Sequence, residues 1–117
     1  MIDHTGIGVA DVGRSAAFYD AALGALDLRR VMQLPDKEGT DAIGYGVDYP
    51  IFWIDRFHPH SVSQHVAFAA KSRAEVETFH AAALRAGAPT TGHRACARGA
   101  TRPGITQPSC WIRMATT

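Results

Sequence analysis

The sequence predicts an α+β fold made of paired βαβββ modules, the second of which is incomplete. Three observations lead to this prediction. Strand and helix patterns follow one another in the order βαβββ and then βα, a strand-cap-helix pattern recurs 61 residues later (His4 to His65), and periodicity is lost after residue 88. A chain of 117 residues has the size of one domain, so both modules are expected to share it.

Module one is predicted to cover residues 1 to 57. Its first strand, residues 2 to 9, places Ile2, Ile7 and Val9 among small residues, and Asp11 is a favourable N-cap for an amphipathic helix over residues 12 to 25. Turn-forming residues then separate three more strand patterns. These cover residues 28 to 34, 41 to 47 and 50 to 55.

The start of module two is predicted over residues 62 to 88. The apolar run from Gln64 to Ala70 indicates a strand, Ser72 and Glu75 have the spacing of a capping box, and Gly87 can end the helix that follows. Because the cap and helix face recur in register, each module is expected to need the other to bury its apolar surface.

Residues 89 to 117 differ in composition from the rest of the chain. They carry four arginines and no acidic residue, and they have no helical or strand period, so an irregular tail is expected. Without lysines or interleaved aromatic residues, these arginines do not indicate nucleic-acid binding. No apolar run is long enough to cross a membrane, and the first residues do not resemble a signal peptide. A cytoplasmic protein without nucleic-acid or membrane partners is therefore expected.

The opening strand, the helix from Arg14 to Tyr19 and the run from Gln64 to Ala70 resemble the vicinal oxygen chelate superfamily. This superfamily includes the glyoxalase, bleomycin-resistance and extradiol dioxygenase proteins, and the resemblance covers residues 1 to 88. It implies a cleft between two modules that holds a divalent metal ion (Fe, Mn, Ni or Zn) and a small-molecule substrate. It also implies a homodimer.

The resemblance further implies that His4 and His65, which match the first-strand histidines of the two modules, are metal ligands. The last strand of module one offers no carboxylate or amide within Ile51 to Ile54, and the glutamate of the last strand of module two has no counterpart. Two imidazoles rarely hold a divalent ion alone, so metal binding is expected to be weak or absent. No catalytic base is assigned.

Three aromatic residues on predicted strands of module one are candidates for substrate binding: Tyr45, Phe52 and Trp53. Core packing is the alternative for each of them. His58 and His60 lie in a predicted loop and are expected to be solvated.

A shift of reading frame accounts for the unusual tail. Back-translation from Pro89 onward, read one base out of register, permits the continuation typical of the superfamily. Three residues of that continuation are forced: Cys110-Trp111 yields Leu, Trp111-Ile112 yields Asp, and Met114-Ala115 yields Gly. We therefore interpret the tail as a frame-shifted version of the second half, with a genuine variant tail as the alternative.

Three functions follow as hypotheses. Intact relatives would use the metal as a Lewis acid in lyase, isomerase or dioxygenase chemistry, with a site that this chain does not complete. The second hypothesis is a metal-free small-molecule binding protein of the bleomycin-resistance type, and the third is a non-functional truncated product.

Overall fold

The computed structural model describes residues 1–35, 40–61, 64–87 and 109–113. Its elements alternate as the sequence predicts, and the expected α+β class is confirmed. In chain order they are β1 (Thr5–Gly8), α1 (Val12–Gly24), β2 (Arg29–Leu34), β3 (Ala42–Gly46), β4 (Pro50–Asp55), β5 (His65–Ala69), α2 (Arg73–Arg85) and β6 (Ser109–Arg113).

Module one forms a four-stranded sheet in the order β1-β4-β3-β2. β1 runs parallel to β4, with Thr5 opposite Phe52, while β2, β3 and β4 form an antiparallel meander. The first strand of the module therefore lies beside its last strand. A residue near the end of β4 consequently sits next to the end of β1.

The two faces of this sheet have different surroundings. Side chains point alternately to the two sides of the sheet along each strand. The side chains that face α1 include those of the buried residues Ile7, Ile43 and Ile54. We call this side the helix face. The other side, which we call the open face, carries residues that pair across the strands in the alternate register: Gly6, Gly8, Met32, Leu34, Ala42, Gly44, Trp53 and Asp55.

The internal repeat predicted from the sequence is present in the backbone. The bounds of α1, shifted by 61 residues, coincide with those of α2. Asp11 and Ser72 are the two N-caps, and their side chains accept hydrogen bonds from the backbone N–H groups of Arg14 and Glu75 respectively. At the other end of α2, Gly87 has a φ of 102°, which suits the left-handed residue that follows a helix.

One contiguous core joins the two modules. Four aromatic rings form a chain from α1 through β4 and β5 to α2. The centroids of Tyr19 and Phe52 are 5.3 Å apart, those of Phe52 and Phe68 are 5.0 Å apart, and those of Phe68 and Phe79 are 6.4 Å apart. All four rings are buried, so the second module is packed onto the first through aromatic contacts.

The structure differs from the expected irregular tail at five residues. Ser109–Arg113 form strand β6, which pairs antiparallel with β5 and places Arg113 opposite His65. The short apolar run around Trp111 favours a strand, and pairing with β5 satisfies backbone groups on one edge of that strand. The remaining predictions for residues 89 to 108 and 114 to 117 lie outside the described residues. Among the described helices, neither is long and apolar enough to cross a membrane.

Candidate functional site

Trp53 lies on the open face of the sheet, over a floor of glycine. A Cβ atom added at Gly44 would lie 3.0 Å from both Cε2 and Cζ2 of the indole, so the ring rests where a side chain on β3 would otherwise stand. Gly6 on β1 flanks it, since an added Cβ there would lie 3.1 Å from the Trp53 Cβ. Trp53 is only partly buried. Trp53 therefore fills the space that the missing side chains of these two glycines leave, and its remaining exposed part faces outward from the sheet.

Two exposed apolar side chains extend this surface along β2. Met32 lies opposite Gly44 and is 45% exposed, and Leu34 lies opposite Ala42 and is 48% exposed. The strand register places both side chains on the same face as Trp53, and contiguous exposed apolar surface can mark a binding site.

The structure differs from the expectation for Tyr45 and Phe52, because both side chains lie on the helix face. Tyr45 is fully buried, and its hydroxyl donates to Asp20 Oδ1 at 3.0 Å and lies 3.4 Å from the Ala16 carbonyl oxygen. Burial, and then the Asp20 carboxylate, raise the pKa of Tyr45, so the hydroxyl stays protonated as a donor. Phe52 packs against Tyr19. These two residues therefore serve the core, and Trp53 alone of the three candidates reaches the open face.

His4 precedes β1 and lies at the end of the sheet where that strand begins. Its ring is exposed, and its Nδ1 is 2.7 Å from the Asp3 carboxylate. His65 is the first residue of β5, and its side chain lies outside what the structure describes. The expectation that these two histidines share a metal ion stays a prediction.

At the other end of β4, the Asp55 carboxylate is joined to the imidazole of His58, for which only a solvated loop position was expected. Asp55 is 7% exposed, and its Oδ1 accepts hydrogen bonds from the backbone N–H groups of Phe57 and His58, both at 2.9 Å. The His58 Nδ1 lies 2.9 Å from Oδ1 and 2.8 Å from Oδ2 of the same carboxylate. A turn-forming Asp three residues before a histidine was the available signal in the sequence.

The surroundings of Asp55 favour its ionised form. Burial alone would raise the pKa of this carboxyl, but hydrogen bonds from the His58 backbone and ring and from the Phe57 backbone lower it below its ordinary value. An ionised carboxylate accepts hydrogen bonds only, so Nδ1 of His58 carries a proton. The ring is otherwise 74% exposed.

Comparison with known proteins gives a structural match and no sequence match. No family model and no curated protein matches the sequence. Among solved structures, the chain is similar to a glyoxalase/bleomycin resistance protein from Albidiferax ferrireducens T118. The two are 29% identical, the match covers 73% of this chain and 71% of that one, and the TM-score is 0.55.

The resemblance to the vicinal oxygen chelate superfamily is confirmed. Both the fold class and the βαβββ arrangement of module one agree with a glyoxalase-like protein. Module two, within the described residues, consists of β5, α2 and β6.

The described residues alone do not assemble the divalent metal site that the superfamily implies, and the side chain of His65 lies outside them. Metal sites of this kind usually need three or more protein ligands close together, and no group of three His, Cys, Asp or Glu residues with suitable placement occurs in the described ranges. The nearest ligand-type pair on the open face is Asp55 with His58, and there the carboxylate is already engaged by four hydrogen-bond contacts. His4 lies at the opposite end of β1 from this pair.

Proposed function

We propose that this chain is a small-molecule-binding protein of the glyoxalase/bleomycin-resistance type, which holds an apolar ligand against Trp53 on the open face without a metal ion. The observation that carries the proposal is the partly exposed indole on its glycine floor. Ligand sites are mostly apolar and concave, with a few polar groups that fix orientation. The open face offers the apolar side chains of Trp53, Met32 and Leu34 together with the polar pair Asp55 and His58.

The apolar character of the surface supports binding of a planar ligand. An aromatic ligand lying beside the Trp53 ring would gain about 0.5–1.5 kcal/mol from ring contact beyond the burial of apolar area. Met32 and Leu34, about half exposed, would lose contact with water at the same time.

The donor set on the open face favours the metal-free form of this function. A metal-dependent lyase or dioxygenase would need clustered ligands near the substrate, and β4 offers one carboxylate, Asp55, which already accepts hydrogen bonds from Phe57 and His58. The metal-dependent alternative remains an outcome of the experiment.

The experiment is equilibrium dialysis of the full chain against 2-methylnaphthalene, an apolar aromatic probe that can be quantified by its own fluorescence. Trp53→Ala is expected to weaken binding at least about fivefold, because it removes the ring that the probe contacts. Tyr49→Ala is the matched control, since Tyr49 is an exposed aromatic residue in the turn between β3 and β4 and is expected to leave affinity unchanged.

The same titration is repeated with EDTA. Equal affinity with and without the chelator is the expected result. Loss of binding in EDTA would instead favour the metal-dependent alternative. Equal losses in both alanine variants would refute the location of the site.

A further inference from the structure

The loop that follows β4 lies on the same side of the sheet as Trp53. Gly8 is on the open face, because its neighbour Ile7 is buried on the helix face. A Cβ atom added at Gly8 would collide with the carbonyl oxygen of His58 and would lie 2.7 Å from that of Pro59. The backbone of residues 58 and 59 therefore occupies the space over Gly8 on the open face. His60 forms a parallel bridge with Gly8 that ties the loop to β1.

Asp55 connects this loop to the surface around Trp53. Asp55 and Trp53 are two residues apart on β4 and share the open face, so their Cα atoms are separated by about 6.6 Å. The same carboxylate accepts hydrogen bonds from the His58 backbone and from its ring. These contacts hold the imidazole against Asp55, which lies two positions from Trp53 on the same face of β4.

The hydrogen bond to Asp55 also determines which nitrogen of the His58 ring carries the proton. Because Nδ1 donates to an ionised carboxylate, the neutral ring has its lone pair on Nε2. Nε2 of that tautomer accepts a hydrogen bond. The held imidazole is 74% exposed, so an incoming molecule can reach it.

We propose that His58 is a ligand-binding residue, which accepts a hydrogen bond at Nε2 from a hydroxyl group on an apolar ligand held against Trp53. Asp55 is its positioning residue. The ligand class is therefore a small, planar, largely apolar molecule with one hydroxyl donor. This proposal rests on the proposed function, since it adds a polar contact to the same surface.

The test uses two probes that differ only in the group that His58 would recognise. 2-Naphthol carries a hydroxyl where 2-methylnaphthalene carries a methyl of similar size, and both are neutral at pH 7. Equilibrium dialysis of the full chain is expected to show 2-naphthol bound about tenfold more tightly, which corresponds to one hydrogen bond.

The variant His58→Asn distinguishes the role of Nδ1 from the role of Nε2. The asparagine amide can still donate to Asp55 in place of Nδ1, but it has nothing at the position of Nε2. We expect this variant to bind the two probes equally and to keep the wild-type affinity for 2-methylnaphthalene. His60→Asn, two residues along the same loop, is the matched control and is expected to retain the preference for 2-naphthol.

A measurement on the unmodified protein covers the case in which His58→Asn does not fold. In a two-dimensional proton-nitrogen spectrum of the histidine rings, the Nε2 resonance of His58 is expected to shift with 2-naphthol and to stay in place with 2-methylnaphthalene. An unchanged Nε2 resonance at saturating 2-naphthol would overturn the proposal.

The outcomes distinguish the two proposals. If the wild-type chain binds both probes equally, or if His58→Asn keeps the preference, the role of His58 is refuted while the apolar site stands. If neither probe binds, the proposed function and the role of His58 both fail.

Discussion

Replacing Phe52 by alanine tests whether the two faces of the sheet are assigned correctly. Phe52 is 1% exposed and contacts rings on both sides, with centroid distances of 5.3 Å to Tyr19 and 5.0 Å to Phe68. Truncation of a buried Phe lowers the free energy of unfolding by about 3–5 kcal/mol, and each lost ring pair adds about 0.5–1.5 kcal/mol to the effect of area alone. Since two pairs are lost, we expect the upper part of the range, about 4–5 kcal/mol.

The assay is urea unfolding followed by circular dichroism, with Trp53→Ala as the comparison. Trp53 is partly exposed and rests on one face only, so we expect a loss below about 2 kcal/mol for this variant. Phe52→Leu is expected to lie near 1–2 kcal/mol and supplies a folded variant if the alanine variant is too unstable to measure. A loss below about 1.5 kcal/mol for Phe52→Ala, or an equal loss for Trp53→Ala, would refute the assignment of faces.

Three further predictions concern the loop and the caps. Gly8→Ala is expected to lower the free energy of unfolding by about 1–3 kcal/mol, because the added Cβ meets the His58 carbonyl oxygen. Gly24→Ala is the control in the same urea titration. Because the space around Gly24 is open, this variant is expected to be neutral or stabilising. Ser72→Ala removes the N-cap of α2 and is expected to lower the unfolding free energy by about 1 kcal/mol, and an unchanged midpoint would contradict the role of the cap. Because the folded chain lowers the pKa of Asp55, this carboxylate stabilises the fold above its ordinary pKa of 3.8, and the contribution is lost as pH falls through the folded value. Urea midpoints measured from pH 6 to pH 3 should therefore fall more in the wild type than in Asp55→Asn.

Local signals in the sequence predict most of the fold correctly. The Ser72 and Asp11 caps begin helices where expected, and β4 has the predicted bounds Pro50–Asp55. These features depend on neighbouring residues, so a sequence pattern captures them. The start of β1 at Thr5 differs from the expected start at Ile2, because only residues from Thr5 onward have β4 residues opposite them. His4 consequently precedes the strand.

The candidate site was harder to predict, for two physical reasons. Ile51 to Ile54 are apolar at every position, so a period of two does not reveal which side chains face α1, and Phe52 and Trp53 could not be told apart. The join between Asp55 and His58 depends on how the loop turns after β4, which the apolar pattern does not encode. In the structure, contact with Tyr19 of α1 places Phe52 on the helix face, and the turn after β4 brings His58 to Asp55.

The parallel pairing of β1 with β4 has a consequence for the order in which the chain can fold during synthesis. The partners Thr5 and Phe52 are about 47 residues apart, and at ribosomal rates of about 5–20 residues per second β1 leaves the ribosome roughly 2–9 seconds before its partner. The meander of β2, β3 and β4 has only short connections, so it can assemble from neighbouring segments as each emerges. β1 can pair only after β4 has been made, so Ile7 cannot pack beside Ile54 until nearly the whole of module one has left the ribosome.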